Sequence, residues 1–411
     1  MKRVPPEICA ICKGARKLCG ASICPILVKH SYLIDKRSIF KKKNFDTFSP
    51  PSILVGEYGY PIVNVGPVST INLMEKNKTL IEDPSNWARK NLGLVDILKI
   101  RLSTIFSFDK KRVTYVREKE DIIKDVAISL RPVDLELSLK KEPRIRIRLD
   151  ADIPPVAATA PLERAEVTSN PITTRKIENA IEENVKTNII VPELYMYGYS
   201  FYYIQRIFSA GLLGVKSRRK LVPTRWSITA VDSILGKYFL DHIKHYAPLG
   251  EAELYYWEYL GNKYYLLLIP SRFWSMELFE VWLPNSVWVK YGSRPIIIRN
   301  HESYDGKPIK MDGGYYAIRT GVLEHLFNRK RKAALLAIRI VTPRYFAPVG
   351  SWQIRESVKL ALASGLIRKG EVEELIKLIE EREKHSLRID IIRESWLLKR
   401  LKTLTLDAFQ I

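Results

Sequence analysis

Glu253-Leu254-Tyr255-Tyr256-Trp257-Glu258-Tyr259-Leu260-Gly261-Asn262-Lys263-Tyr264-Tyr265-Leu266-Leu267-Leu268-Ile269 holds two runs of aromatic and branched residues hinged on Gly261-Asn262. Glycine and asparagine accept the positive φ of a tight turn, so the stretch predicts a β-hairpin. Phe273, Trp274, Phe279, Trp282, Trp288 and Tyr291 continue the pattern around a second turn at Pro284-Asn285, and residues 253–299 read as an antiparallel meander. Its aromatics can serve as stacking platforms for unpaired bases, although rings on alternating strands more often fill a core. Outside the meander the period changes. Ile177, Ala180, Ile181 and Val185 recur at helical spacing, and Tyr203 to Leu213 continues helical to Gly214. Ser227 is a candidate cap for a helix through Ile228, Val231, Leu235 and Phe239. Val372, Leu375, Ile376 and Ile379 form an apolar stripe opposite Glu373, Glu374, Lys377 and Glu380. The fold class is therefore mixed α/β (α+β): a small N-terminal four-cysteine zinc module, a mixed body with aromatic-rich antiparallel strands, and a helical C-terminal region.

All four cysteines fall at one end, as Cys9, Cys12, Cys19 and Cys24, and none occurs in the rest of the 411 residues. A C-x2-C knuckle aims two sulfurs at one ion, so the cluster predicts a tetrahedral Zn²⁺ site with four protein ligands, structural because no coordination position stays open. Two disulfides or an iron–sulfur cluster are the alternatives. Lys13, Arg16 and Lys17 offset the thiolate charge. Residues 1–50 carry eleven basic and three acidic side chains and include the run Lys41-Lys42-Lys43. Pro50-Pro51 closes this module, because neither ring nitrogen can donate to a helix. Residues 53–67 then read as a hairpin of two β-branched runs around Gly56-Glu57-Tyr58-Gly59-Tyr60-Pro61. A second boundary is placed near Asp152, before a proline-rich stretch. The expected organisation is a zinc module over 1–50, an α/β domain over 51–152, a mixed domain over 153–365, helices over 366–402 and a tail over 403–411.

Lys and Arg number 67 against 45 Asp and Glu, a net charge of +22. Solubility does not require that excess, and a polyanion is the implied partner, nucleic acid first because neutralised phosphates release counterions. The longest apolar runs are too short for a membrane helix, which predicts a cytoplasmic protein without membrane contact. Arg218, Arg219, Lys220, Arg225 and Trp226 combine four cations with an indole just ahead of the expected helix, where backbone N–H groups also favour phosphate, and with Lys41, Lys42 and Lys43 they are the candidate nucleic-acid contacts. Arg144, Arg146 and Arg148 alternate along a predicted strand and share one face.

Enzymatic chemistry is weakly signalled. Asp150 and Asp152 at i, i+2, with Asp232, are the candidate ligands for a catalytic Mg²⁺ or Mn²⁺, and Asp312 and Glu356 are further acids in basic surroundings. His242 and His245 with Asp241 could ligate a metal on one helix face, with no third ligand nearby. Walker, dinucleotide and nucleophile-elbow motifs are absent, which argues against nucleotide-driven motor or α/β-hydrolase chemistry.

The chain ends Lys402-Thr403-Leu404-Thr405-Leu406-Asp407-Ala408-Phe409-Gln410-Ile411. A 3₁₀ turn there would project Leu406 and Phe409 together as a two-pronged apolar anchor. The tail resembles the sliding-clamp interaction motif (PIP box), with Leu406 at its aliphatic and Phe409 at its first aromatic position, while Thr403 stands where glutamine is usual and Gln410 where a second aromatic is usual. With the four-cysteine start, the Val55–Pro61 hairpin, the block from Arg219 to Asp232 and the block Pro348-Val349-Gly350-Ser351-Trp352-Gln353-Ile354-Arg355-Glu356, the chain resembles the archaeal Nre family of DNA repair proteins over nearly its whole length. The resemblance implies a DNA repair role, contact with DNA and tethering to the archaeal PCNA sliding clamp through residues 403–410. It assigns no catalytic residue. A metal-dependent nuclease or hydrolase, and a basic zinc-containing RNA-binding protein, are the alternative functions.

Overall fold

The computed structural model describes residues 6–13, 18, 43–70, 80–117, 122–289, 294–303, 311–384 and 390–407. They form two units, residues 27–235, and residues 1–26 together with 236–411. In chain order the first elements are α1 (Pro6–Cys12), β1 (Asn44–Ser49), β2 (Ile53–Val55), β3 (Ile62–Thr70), α2 (Pro84–Arg89), α3 (Leu94–Arg101), β4 (Thr104–Arg112) and α4 (Ile122–Ile128). There follow β5 (Val133–Leu139), β6 (Arg144–Arg148), β7 (Val156–Val167), α5 (Arg175–Glu182), α6 (Thr187–Tyr197), α7 (Phe201–Ser209) and α8 (Thr224–Ile243). The last are β8 (Ala247–Pro248), β9 (Ala252–Tyr259), β10 (Asn262–Ile269), β11 (Met276–Trp282), β12 (Ile296–Glu302), α9 (Gly313–Asn328), β13 (Arg331–Lys332), β14 (Ala334–Val341), α10 (Trp352–Ser364), β15 (Leu366–Gly370), α11 (Val372–Arg382), α12 (Asp390–Arg393) and α13 (Trp396–Asp407). The protein is mixed α/β, as its sequence predicts.

In the unit of residues 27–235 a seven-stranded sheet runs β1-β5-β7-β4-β3-β2, with β6 also on β7. β5 follows the period-two rule: Val133, Leu135, Leu137 and Leu139 are buried while Asp134 and Glu136 face solvent. The predicted hairpin forms, with Ile53 opposite Pro67 and Val55 opposite Val65. Gly66 lets β3 approach β4, since a Cβ there would lie 1.8 Å from the Ser107 carbonyl oxygen. Pairing crosses the expected boundaries after 50 and 152, because β1 joins β5 and β7 joins both β4 and β5.

The other unit is built on a six-stranded sheet ordered β12-β11-β14-β10-β9-β15. The hairpin β9–β10 turns at Leu260-Gly261, both with positive φ. The meander reading needs one correction: β14 inserts between β10 and β11, antiparallel to the first and parallel to the second. Its sequence Ala334-Leu335-Leu336-Ala337-Ile338-Arg339-Ile340-Val341 is buried throughout, the near-continuous apolar run of a central strand covered on both faces. Tyr265, Leu267 and Ile269 pack with Leu336, Ile338 and Ile340 against Leu375, Ile376 and Ile379 of α11 and Leu397 of α13. On the opposite parity Tyr264 donates to Gln353 of α10 at 2.8 Å. The meander's Tyr255, Tyr259, Tyr264, Tyr265, Phe279, Trp282 and Trp288 are thus core, not stacking platforms.

Candidate nucleic-acid interface

An exposed aromatic and cationic surface forms in the unit of residues 27–235. Gly59 takes φ +85° between β2 and β3, where a side chain would press on the Ile62 carbonyl, and this turn presents Tyr60 outward. The Tyr60 ring meets the Trp226 indole at 5.2 Å between centroids, tilted by 42°. Trp226 is 45% exposed, Tyr60 40% and Ile62 52%. Lys220 is exposed, donates to the Tyr60 hydroxyl at 3.2 Å, and holds its ammonium 5.9 Å from that ring's centre. Backbone hydrogen bonds weld three segments here: Val113 N donates to Pro61 O at 2.9 Å and Leu221 N to Val113 O at 2.7 Å. Ile62 is paired with Arg112 and Asn64 with Lys110, so those exposed cations share the outer face of the β3–β4 pair with Ile62.

Arg225 does not join that surface. Its guanidinium donates to Asp150 and lies 3.7 Å from the Glu57 carboxylate and 3.8 Å from that of Asp152, with its side chain 17% exposed. Burial alone would lower its pKa; the three carboxylates outweigh that and raise it. Asp150 is further engaged by the backbone N–H groups of Asp152 at 2.9 Å and Ile153 at 3.3 Å. The phosphate-contact role expected of Arg225 is therefore redirected into a buried ion cluster, and Asp150 and Asp152, two of the three acids proposed as metal ligands, hold it together with Glu57. The expected helix start also moves. α8 begins at Thr224, whose hydroxyl accepts from Val55 N at 2.9 Å, so Arg225 and Trp226 lie in its first turn. Ser227 sits inside that turn, accepts from Gln205, and donates back to the Thr224 carbonyl.

The other residues singled out from sequence fall in different settings. Arg218 is exposed at the end of a short 3₁₀ turn, while Arg219 donates to the carbonyls of Gly214 at 2.9 Å and Glu183 at 3.0 Å. Lys43 is exposed; Lys41 and Lys42 lie outside the described residues. β6 forms as predicted, with Arg144 exposed and the side chains of Arg146 and Arg148 outside the described set. Asp232 is fully buried in α8. His242 and His245 are exposed, with Asp241 paired to Lys237 and Lys244, and His242 rests on Tyr238 and Phe327. Cys9 and Cys12 share one face of α1 and are not joined to each other; Cys19 and Cys24 lie outside the described residues, among which no group of three or more metal-ligating side chains occurs. The backbone at Thr403, Leu404, Thr405, Leu406 and Asp407 continues α13 as α-helix instead of turning 3₁₀, and Ala408, Phe409 and Gln410 are outside the described set.

Two features escaped the sequence reading. Beside β1, β5 and β7, an open groove of about 510 Å³ is lined by Asp46, Glu136, Glu163 and Glu166, with Arg164 tied to Glu166, a surface that repels phosphate. In the unit that includes residues 236–411, Lys13 donates to Glu280 at 2.8 Å and to Asp312, and Arg339 donates to Glu280 at 2.8 Å and Asn262 at 2.8 Å. Lys13 brings Asp312 down to about 2 against the opposing effect of burial. Two cations and two anions close this buried network without leftover charge and fix α1 on the core. The partners are nearly 300 residues apart in sequence, and no local pattern announces them.

Comparison with known families places these blocks in context. The family model described as Archaeal Nre, N-terminal matches residues 18–289, and Archaeal Nre, C-terminal matches residues 301–409. This chain belongs to the archaeal Nre family. It is 35% identical over 363 residues to the DNA repair protein NreA of Archaeoglobus fulgidus, covering 87% of this chain and 88% of that one. NreA of Haloferax volcanii is 35% identical over 322 residues, 76% of each chain, and NreB of Archaeoglobus fulgidus 29% over 408 residues, 98% of this chain and 99% of its own. No solved structure matches. Both the Tyr60 turn and the Trp226 helix of this Nre chain lie within the N-terminal family match, as does most of the meander.

Proposed function

We propose that this chain is a DNA repair protein that contacts DNA through the Tyr60–Trp226 surface and is tethered to the archaeal PCNA clamp through residues 403–411. The observation that carries the DNA contact is the grouping of exposed Lys110, Arg112 and Lys220 around exposed Tyr60 and Trp226. Its support is the name DNA repair protein borne by the NreA and NreB relatives, and a charge of +22. The tail's support is its PIP-like spacing, with Lys399, Arg400 and Lys402 upstream to steer it toward an acidic partner.

A Zn²⁺ held by Cys9, Cys12, Cys19 and Cys24 belongs to the same proposal. Cys9 and Cys12 at i, i+3 on α1, one half-buried and one buried, supply the first pair of soft donors. The ion would act as a structural cross-link. In the test of the DNA contact, labelled DNA is titrated with the full chain at several salt concentrations. Binding whose log–log salt slope falls by about 0.7–0.9 for each of Lys220→Ala and Arg112→Ala supports the contact; binding with no salt dependence sinks it.

A further inference from the structure

We propose that the Tyr60–Trp226 pair is a stacking site for an unpaired base, so that the DNA this protein recognises contains single-stranded or extruded nucleotides. The inference rests on the DNA-contact reading above and specifies its substrate.

A base inserted between two rings needs roughly 7 Å between their planes, two van der Waals separations of about 3.5 Å. Tyr60 and Trp226 are 5.2 Å apart at their centroids and tilted by 42°, already in contact with one another. They form a continuous ledge with no slot between them. With nearly half of Trp226 open to solvent, a planar partner adds on the outward side of that ledge. The interior of a duplex cannot supply that partner, because its base faces are buried in the stack and only groove edges and phosphates are accessible. An unpaired nucleotide can.

Charge placement completes the site. Lys220 is fixed at the rim by its bond to the Tyr60 hydroxyl, and Arg112 and Lys110 stand along the neighbouring strand beside Ile62. An aromatic ledge with one cation bonded to its tyrosine and others on the adjoining strands matches a single strand, whose bases turn to the ledge while its phosphates meet the cations. The ledge is also rigid. Trp226 sits in the first turn of the twenty-residue α8, and the neighbouring Thr224 hydroxyl is bonded to Val55 N at 2.9 Å. The acids of the neighbouring cluster, Glu57, Asp150 and Asp152, are largely buried and gather on the Arg225 guanidinium, which offsets one of their three negative charges.

The test is fluorescence anisotropy with the full chain, a labelled fifteen-nucleotide oligothymidylate, and a blunt duplex of equal length. Trp226→Ala is expected to weaken oligothymidylate binding about 5- to 150-fold, with duplex binding unchanged and the salt slope preserved. Trp226→Phe should retain most of the affinity. Lys220→Ala should lower the salt slope on both probes by about 0.7–0.9, one phosphate contact. Unchanged melting temperatures, expected for exposed side chains, separate lost contact from lost fold. Equal losses on single strand and duplex, or a Trp226→Ala protein that binds oligothymidylate like the parent, would overturn the stacking site while leaving DNA contact standing. A parent protein that binds neither probe overturns both readings.

Discussion

Arg225 offers the sharpest separation of structural charge from DNA-binding charge. Replacing it with methionine keeps the side-chain length and removes the cation that faces Asp150, Asp152 and Glu57. The three carboxylates are 7%, 14% and 19% exposed, so they cannot recover full hydration. Breaking a buried ion pair from one side costs about 3–5 kcal/mol, and partial exposure here puts the value at about 3 kcal/mol. For a unit of this size each kcal/mol moves the midpoint by about 2–4 °C, giving a drop of about 6–12 °C. Thermal unfolding followed by circular dichroism reads it. Arg225→Lys should fall between, since a lone ammonium cannot reach three acids with one fork. In parallel, folded Arg225→Met should bind DNA as the parent does. A melting temperature unchanged within about 1 °C, or a stable variant that loses DNA affinity, would refute the assignment of Arg225 to the ion cluster and return it to the DNA surface.

Three further predictions follow from the unit that includes residues 236–411 and from the tail. His325 is held down to about 4, chiefly by burial and then by Arg329, against the pull of Glu253; its neutral form is native, so stability is full above the unfolded value near 6.5 and is lost as pH falls from 6.5 toward 4, up to about 3 kcal/mol. Urea midpoints between pH 7 and 4 should show this slope, and His325→Gln should flatten it. Glu277, buried on β11, accepts from the Ser395 hydroxyl, Leu397 N at 2.9 Å and Trp396 N at 3.3 Å, capping α13. Glu277→Ala should cost about 2–3 kcal/mol and speed hydrogen exchange at the first turn of α13 while sparing the unit of residues 27–235; uniform exchange rates would contradict it. Deleting residues 403–411, or combining Leu406→Ala with Phe409→Ala, should abolish capture of the purified clamp without changing the melting temperature. Undiminished capture by the double variant would remove the tail from the account.

Local chemistry explains why parts of this fold were legible. The hairpin 53–67 and the β9–β10 hairpin each carry glycine where positive φ is required, flanked by β-forming runs; the first forms where expected, and the second turns one residue early, at Leu260-Gly261 instead of Gly261-Asn262. The apolar stripe of α11 is equally direct. Long-range pairing was not legible. β14 enters between β10 and β11 because its sequence, apolar except for the ion-paired Arg339, fits the centre of a sheet, a placement that periodicity cannot rank against an edge. The basic block Arg218 to Trp226 reads as one patch in sequence. In the folded chain it divides three ways: Lys220 and Trp226 face solvent, Arg219 holds backbone carbonyls, and Arg225 is consumed by acids more than 70 residues away. Trp226 gains its meaning from Tyr60, a neighbour only through β-sheet topology.

The central claim, that DNA meets this protein at the Tyr60–Trp226 ledge, is tested most directly by locating the contact. Oligothymidylate carrying 5-iodouracil, bound to the full chain and photolysed, gives crosslinked peptides that mass spectrometry can place. The account predicts crosslinks at Tyr60 and Trp226, with neighbouring adducts along Lys110 to Arg112. Crosslinks confined to other elements, with none in residues 56–62 or 224–227, would contradict it.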